Sequence, residues 1–396
     1  MRAVGIIAEY NPFHAGHALQ LARARALTGA DAVIVAMSGA FTQRGEPALI
    51  DKWARARMAL TAGADLVVEL PCLFALREAR GFAEGGVRLL SALGMVEALS
   101  FGCEPEGMAL IDEVARCLSD EPEPYRALLR AGLARGLSYP RARAEAAAAY
   151  LRLDPDALNR PNFALALEYA QANARLARPL ALLPVERTSD YHGLELGKVC
   201  SASAIRAAVD RGEVSAALEG VPAQCRAELA RELGRRATPR LIDDLALIRL
   251  RGMSHAELSA YPGLGEGLES LICRQARRCP SAAELIAACK SKRYTLSRLR
   301  RLLPQVALGI THDMQAAHPA PEYIRVLACR RYALGLLGEI KRCGTLPLVS
   351  DVARMSESDA MWALETRATD LWGMCTDCAE YRLAGRDYTQ KFTVVD

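Results

Sequence analysis

The chain has 396 residues, of which 51% are hydrophobic and 24% charged. This is the composition of a globular protein with room for two or three domains, and it excludes a disordered or fibrous chain. The net charge of +4 is too small to indicate a polyanionic partner by itself. No run approaches the ~18 uninterrupted apolar residues of a membrane span, and Glu9, Asn11 and His14 break the N-terminal apolar run before it could serve as a signal peptide. A cytoplasmic protein with no membrane partner is the expectation. Twelve cysteines show no framework spacing, and Cys72, Cys200 and Cys329 sit among apolar residues, as buried thiols do.

The first half alternates strand and helix signals. Ala3 to Ala8 reads as a strand, Ala18 to Leu27 as a helix, and Ala32 to Met37 as a second strand. A loop from Ser38 to Pro47 leads to a helix over Asp51 to Ala62, a third strand over Asp65 to Leu70, a helix over Phe82 to Leu93 and a fourth strand over Ala98 to Gly102. Helices follow from Met108 to Ala172, then a fifth strand over Pro179 to Val185 and a helix over Ser201 to Val209. Short buried strands separated by helices imply a Rossmann-like parallel sheet. Beyond residue 211 the period is helical, including one segment from Tyr323 to Ile340. The expected fold class is therefore α/β: a parallel-sheet domain over 1–211, followed by a mainly α-helical domain over 212–396.

Two constellations carry chemistry. The first is His14-Ala15-Gly16-His17, directly after the first strand. Such folds place ligands at the carboxyl ends of their strands. Two histidines three apart share a face of the first helical turn, and a helix N-terminus offers N–H groups and a positive dipole end to phosphate. The second is Lys198-Val199-Cys200-Ser201-Ala202-Ser203-Ala204-Ile205-Arg206. Ser201 or Ser203 can cap a helix there, and Arg206 can grip phosphate with two donors.

The pairing of His-x-Gly-His with a later Ser-x-Ser-x-x-Arg resembles the HxGH nucleotidyltransferase superfamily. The closer likeness is to the bacterial tRNA(Met) cytidine acetate ligase family. It is carried by Val4 to His17, Met37-Ser38-Gly39, Gln43 to Pro47, Lys52-Trp53-Ala54-Arg55 and Asp65 to Pro71. Phe101 to Glu104, Arg160-Pro161-Asn162, Ser203 to Arg206, Lys292 to Thr295 and Tyr323 to Leu327 extend it along the chain. Where the superfamily commonly has Ile-Ser-Ser-Thr-x-x-Arg, this chain has Cys200-Ser201-Ala202-Ser203-Ala204-Ile205-Arg206, with one hydroxyl lost at Ala202.

The resemblance implies an ATP-dependent ligase that makes acetyl-adenylate from acetate and ATP. The acetyl group then passes to N4 of the wobble cytidine of elongator tRNA(Met), giving N4-acetylcytidine. It implies His14, His17 and Arg206 as catalytic residues that stabilise charge on phosphate. It implies ATP contacts from Ile7, Ala8, Glu9, Tyr10, Asn11, Pro12, Phe13, His14, Ala15, Gly16, His17, Ala18, Leu19 and Gln20. Gly102, Asn162, Arg187, Ser201, Ser203 and Arg206 complete that implied set. Mg2+ is expected from ATP chemistry, without visible ligands.

Nine basic residues and one acidic residue lie between Leu271 and Arg301. Such a cluster suits an RNA backbone, and Lys290, Lys292, Arg293, Arg298 and Arg301 are its expected tRNA contacts. Arg325, Arg330 and Arg331 extend it in sequence. Asp65 and Glu69 invite a metal or base role, against the plainer reading that acids flanking a strand cap elements. Cys375-Thr376-Asp377-Cys378 lacks a second ligand pair and reads as reduced thiols. Two competing functions fit parts of the chain. A small-molecule nucleotidyltransferase making a dinucleotide cofactor explains residues 1 to 210. A non-catalytic RNA-binding protein explains the basic half. The sequence leaves open how acetate is selected, which residues read the anticodon, which group serves as base for the cytidine amine, and the oligomeric state.

Overall fold

A computed structural model describes residues 1–158, 160–186, 201–356 and 358–396. Eight strands form one sheet: β1 (Ala3–Ala8), β2 (Ala32–Ser38), β3 (Leu66–Leu70), β4 (Val96–Cys103), β5 (Ala181–Glu186), β6 (Ile324–Arg330), β7 (Leu348–Val349) and β8 (Thr393–Val395). Their order is β5-β4-β1-β2-β3-β6-β7, with β8 also on β6. The first five strands are parallel, and β6 runs antiparallel to β3. Every residue of β2 and β3 is buried, which explains why these runs are continuously apolar rather than alternating.

The chain leaves β1 for β2 on one side, and β4 later returns on the other. That reversal opens a crevice beyond the carboxyl ends of β1 and β4. Two apolar cores cover the faces of the sheet, one around Ile34, Val68 and Leu90, the other around Val33, Val35 and Trp53. The first core also takes Ile324, Trp362 and Trp372, so it draws on both sides of residue 211. A third, helical core gathers Ala246, Leu258, Ile272 and Leu302. No helix among the described residues is long and apolar enough to cross a membrane.

One element differs in kind from its sequence reading. Tyr323 to Ile340 is not one helix: Ile324–Arg330 is strand β6, followed by a short turn and the helix Gly335–Cys343. All but the last residue of β6 are buried. A strand buried on both faces loses its period of two, so an apolar run alone does not separate it from a helix. Pairing to β3, far away in sequence, decides the outcome.

Candidate active site

The His-x-Gly-His turn is built from the end of β1. Tyr10 adopts a left-handed backbone (φ 49°), and the Asn11–Pro12 peptide is cis. Tyr10 and Phe13 are buried, with ring centroids 4.8 Å apart. They flank the His17 ring at 4.7 and 5.5 Å and fix its position. His14 caps the helix Ala15–Thr28: its Nδ1 accepts from the Gly16 N–H at 3.0 Å. His17 Nδ1 accepts in turn from the His14 N–H at 3.3 Å. The two rings stack with centroids 3.6 Å apart.

This geometry settles the tautomers. A ring whose Nδ1 accepts carries its proton on Nε2. Both histidines therefore carry the ring proton on Nε2, and both line the same cleft. The backbone behaves differently from the sequence expectation. The Ala15 N–H donates to the Gly220 carbonyl at 3.1 Å, the Gly16 N–H to His14, and the His17 N–H to the His14 carbonyl at 3.0 Å. The first-turn amides are thus engaged within the protein, and what this turn brings to the cleft wall is the two imidazole side chains.

Across the cleft, Ser201 caps the helix Ala202–Asp210 by accepting from the Ala204 N–H at 3.1 Å. Arg206, one turn in, donates to the Asn11 carbonyl at 2.6 Å and to Ser203 Oγ at 3.4 Å. It thereby ties the second constellation to the turn that carries the first. Asn11 Oδ1 accepts from the Leu49 N–H at 2.7 Å. Glu9 accepts from the Gln43 N–H at 2.6 Å. Desolvation pushes the Glu9 carboxyl above its usual range, while that hydrogen bond and the Arg44 and Arg206 charges oppose the rise.

The cleft holds about 1600 Å3. Ile7, Ala8, Glu9, Tyr10, Asn11, Gln20, Gly102, Asn162, Ser201, Ser203 and Arg206 line it with the two histidines. Pro12, Phe13, Ala15, Gly16, Ala18 and Leu19 are not on its wall; Phe13 is core. Arg187 and the stretch Lys198 to Cys200 lie outside the described residues. Asn162 is not a helix cap, because Arg160 holds that position on the helix Pro161–Ala174. Its side-chain amide donates to Glu104 Oε1 at 2.7 Å, and the other oxygen of Glu104 takes the Phe163 N–H at 2.8 Å. Glu104 therefore anchors Asn162 from the end of β4.

Arg301 also lines the cleft, where its guanidinium donates to the Gln43 carbonyl at 3.4 Å. Gly45 makes this approach possible. Its φ is +81°, and a Cβ there would meet the Arg300 backbone at 2.6 Å. Arg300 pairs with Glu46 at 2.8 Å, and Glu46 lies 4.0 Å from Arg206. Arg298 and Arg293 reach Glu266 at 3.4 and 3.5 Å, while Lys290 and Lys292 are exposed.

The chain matches the model of the HIGH Nucleotidyl Transferase family over residues 1–387. It is 34% identical to the tRNA(Met) cytidine acetate ligase of Acetivibrio thermocellus, with both chains covered completely. A Clostridium perfringens protein of the same name is 35% identical over 94% of this chain and 95% of its own. The chain belongs to the tRNA(Met) cytidine acetate ligase family. Among solved structures, Thermotoga maritima TmcAL bound with alpha-thio ATP superposes on this family member with a TM-score of 0.91, at 29% identity and full coverage of both chains. The apo form of the same protein gives 0.93.

Beside the family site lies a buried ionic cluster. Lys52 Nζ contacts Glu69 Oε1 at 2.7 Å, Asp387 Oδ1 at 2.9 Å and Thr369 Oγ1 at 2.9 Å. Arg325 joins Glu69 at 2.8 Å and Asp387 at 2.7 Å. All four charged groups are at most 2% exposed. Glu69 is thus occupied by two cations, and Arg325 is core rather than an extension of the basic surface. Arg330 turns inward to the Leu60 carbonyl and Arg331 pairs with Asp396. Asp65 lies at the opposite end of β3, accepting from the Val33 N–H, Arg25 and the Tyr332 hydroxyl. The eleven described cysteines, Cys375 and Cys378 among them, are free thiols.

Arg55 had drawn notice only as part of a family-like segment. It is fully buried, and its guanidinium donates to the carbonyls of Glu9 (2.6 Å), Ser38 (2.9 Å), Ile50 (3.2 Å) and Gly39. It therefore clamps the carboxyl ends of β1 and β2, where the histidine turn begins. A buried, five-donor side chain suits this task because several carbonyls need partners at once. In sequence Arg55 is one cation on a helix, with nothing to mark it as buried.

Proposed function

We propose that this chain is an ATP-dependent ligase that activates acetate as acetyl-adenylate and acetylates N4 of the wobble cytidine of elongator tRNA(Met). The observation that carries the reading is the stacked pair His14 and His17, each held through Nδ1 by a backbone N–H on the wall of a cleft that Arg206 closes from the other constellation. In the first step an acetate oxygen attacks the α-phosphorus of ATP, and the bond to the bridging oxygen breaks to release pyrophosphate. Negative charge grows on the phosphate oxygens and the leaving group. Preorganised donors that need no rearrangement stabilise such charge best. His14 and His17 donate to those oxygens; Ser201, Ser203 and Arg206 hold the outer phosphates. In the second step the cytidine N4 attacks the acetyl carbonyl, AMP leaves and the amine loses a proton.

The ATP contacts extend over Ile7 to Gln20, with Gly102 and Asn162 toward the nucleoside and Arg187 toward the phosphates. Mg2+ arrives with the nucleotide. Among the described residues no trio of metal-ligating side chains gathers, and a hard cation held chiefly by phosphate and water suits that donor set. Residues 1–211 serve ATP chemistry, and 212–396 serve tRNA through Lys290, Lys292, Arg293, Arg298 and Arg301. The cytoplasm, which holds ATP, acetate and tRNA, is the proposed location.

Incubation with ATP, labelled acetate and total tRNA, followed by nucleoside digestion, tests the reading. Label is expected in N4-acetylcytidine. Label absent from every nucleoside while ATP is consumed with a phosphorylated small molecule would instead identify a cofactor-making nucleotidyltransferase.

A further inference from the structure

The basic residues between Leu271 and Arg301 differ in what their side chains already hold. Arg293, Arg298 and Arg300 are paired with Glu266 or Glu46. Arg274, Arg277 and Arg278 are exposed, and none forms an ion pair among the described residues. All three line one depression of about 580 Å3, joined by Ser254, His255 and Ser270. No carboxylate belongs to its wall; behind the wall, the Glu257 carboxylate accepts from the Ser254 N–H and hydroxyl at 2.8 Å, and Glu269 lies 4.0 Å from His255.

The helix Leu268–Ala276 ends at this depression. A helix C-terminus is ordinarily negative. Here Arg251 donates to the carbonyls of Ala276 at 2.9 Å and Cys279 at 2.8 Å. That contact offsets the carbonyl charge and adds a fourth cation behind the three. Met253 and Cys273 of its wall pack against the helical core that contains Leu258, Ile272 and Leu302. Leu302 belongs to the helix Leu296–Leu308, which also carries Arg300 and Arg301 to the cleft.

We propose that this depression binds a backbone phosphate of RNA at a point separate from the cleft. The inference rests on the tRNA reading above and adds a second anchoring site to it. Three guanidinium forks converging on one depression match a phosphodiester. Such a contact positions the RNA without reading its sequence. Because depression and cleft share one helical core, a phosphate held here sets the angle at which the RNA approaches the histidines.

The test is a triple variant, Arg274→Gln, Arg277→Gln and Arg278→Gln, in the full chain. The side chains are exposed and unpaired, so the melting temperature is expected to hold. Affinity for tRNA, measured across a salt series, is expected to fall tenfold or more, and the log–log salt slope to flatten by about 1. Acetate-dependent exchange of pyrophosphate into ATP is expected to be unchanged. Unaltered tRNA affinity and slope would overturn the proposal. Loss of inorganic pyrophosphate binding with unaltered tRNA affinity would assign the depression to a free anion and overturn it too. Arginine-dependent RNA binding in a protein without acetate-dependent exchange would sustain this site while removing the ligase reading.

Discussion

Two groups of charged side chains gather near the carboxyl ends of the central strands, and they do opposite things. In the Lys52–Glu69–Arg325–Asp387 cluster, each charge is met by another within the protein. In the cleft, His14 and His17 are oriented by backbone N–H groups and Arg206 by the Asn11 carbonyl, and all three line the cavity wall. The first arrangement holds elements together and the second lines a cleft. Residue type alone does not distinguish them. What distinguishes them is whether the partners of a polar group are side chains of opposite charge or main-chain atoms that aim it elsewhere.

The comparison breaks first if the buried cluster is not structural. Arg325→Met strands Glu69 and Asp387 with one cation, Lys52, between them, and removing one partner of a buried pair costs about 3–5 kcal/mol. Denaturant unfolding is expected to show that loss, while exchange activity per folded molecule stays near wild type. Arg206→Gln is the converse. Acetate-dependent exchange is expected to drop by ~10²-fold with little change in the unfolding midpoint. A large stability loss with intact activity would move Arg206 into the scaffold.

Acid separates the regions by pH. Burial opposes ionisation of Asp387, but Arg325 and Lys52 overcome it and hold the carboxyl at about 2. A carboxyl depressed in the folded state contributes stability above its unfolded value, and loses that contribution as pH falls through the folded one. The cluster is therefore expected to weaken between roughly pH 4 and 2. Fluorescence of Trp53 and Trp362 reports it, because Arg325 lies 5.7 and 4.9 Å from their ring centroids. The smallest effect is expected from Glu365→Gln. Burial and the neighbouring Glu69 raise the Glu365 carboxyl well above its usual range, which disfavours its ionised form. An amide should cost less than about 1 kcal/mol; a loss as large as that of Arg325→Met would show that Glu365 is ionised.

The parallel strands were legible because each is a short apolar run bounded by Gly, Pro or acidic residues. The histidine turn was legible through spacing and its place after β1. Less visible was everything decided by partners distant in the chain. β6 hides its strand period because both faces are covered, and its neighbour β3 lies on the far side of most of the sequence. Glu69 invited a metal or base role beside the plainer capping one, and Lys52 and Arg325 close around it instead. The basic segment read as one surface, but Glu46 and Glu266 divide it into paired and unpaired arginines. Arg55 gave no signal, because four carbonyl partners at separate positions are a property of the fold. The same holds for the histidine tautomers, which follow from two backbone N–H groups and not from the motif.

The central claim is that the histidines act on phosphate while acetate is activated. Exchange of labelled pyrophosphate into ATP, with and without acetate, in wild type and His17→Ala tests it most directly. Acetate-dependent exchange is expected in the wild type and should fall by ~10²- to 10³-fold in the variant, with tRNA affinity nearly intact. Normal exchange in His17→Ala, or exchange indifferent to acetate in the wild type, would contradict it.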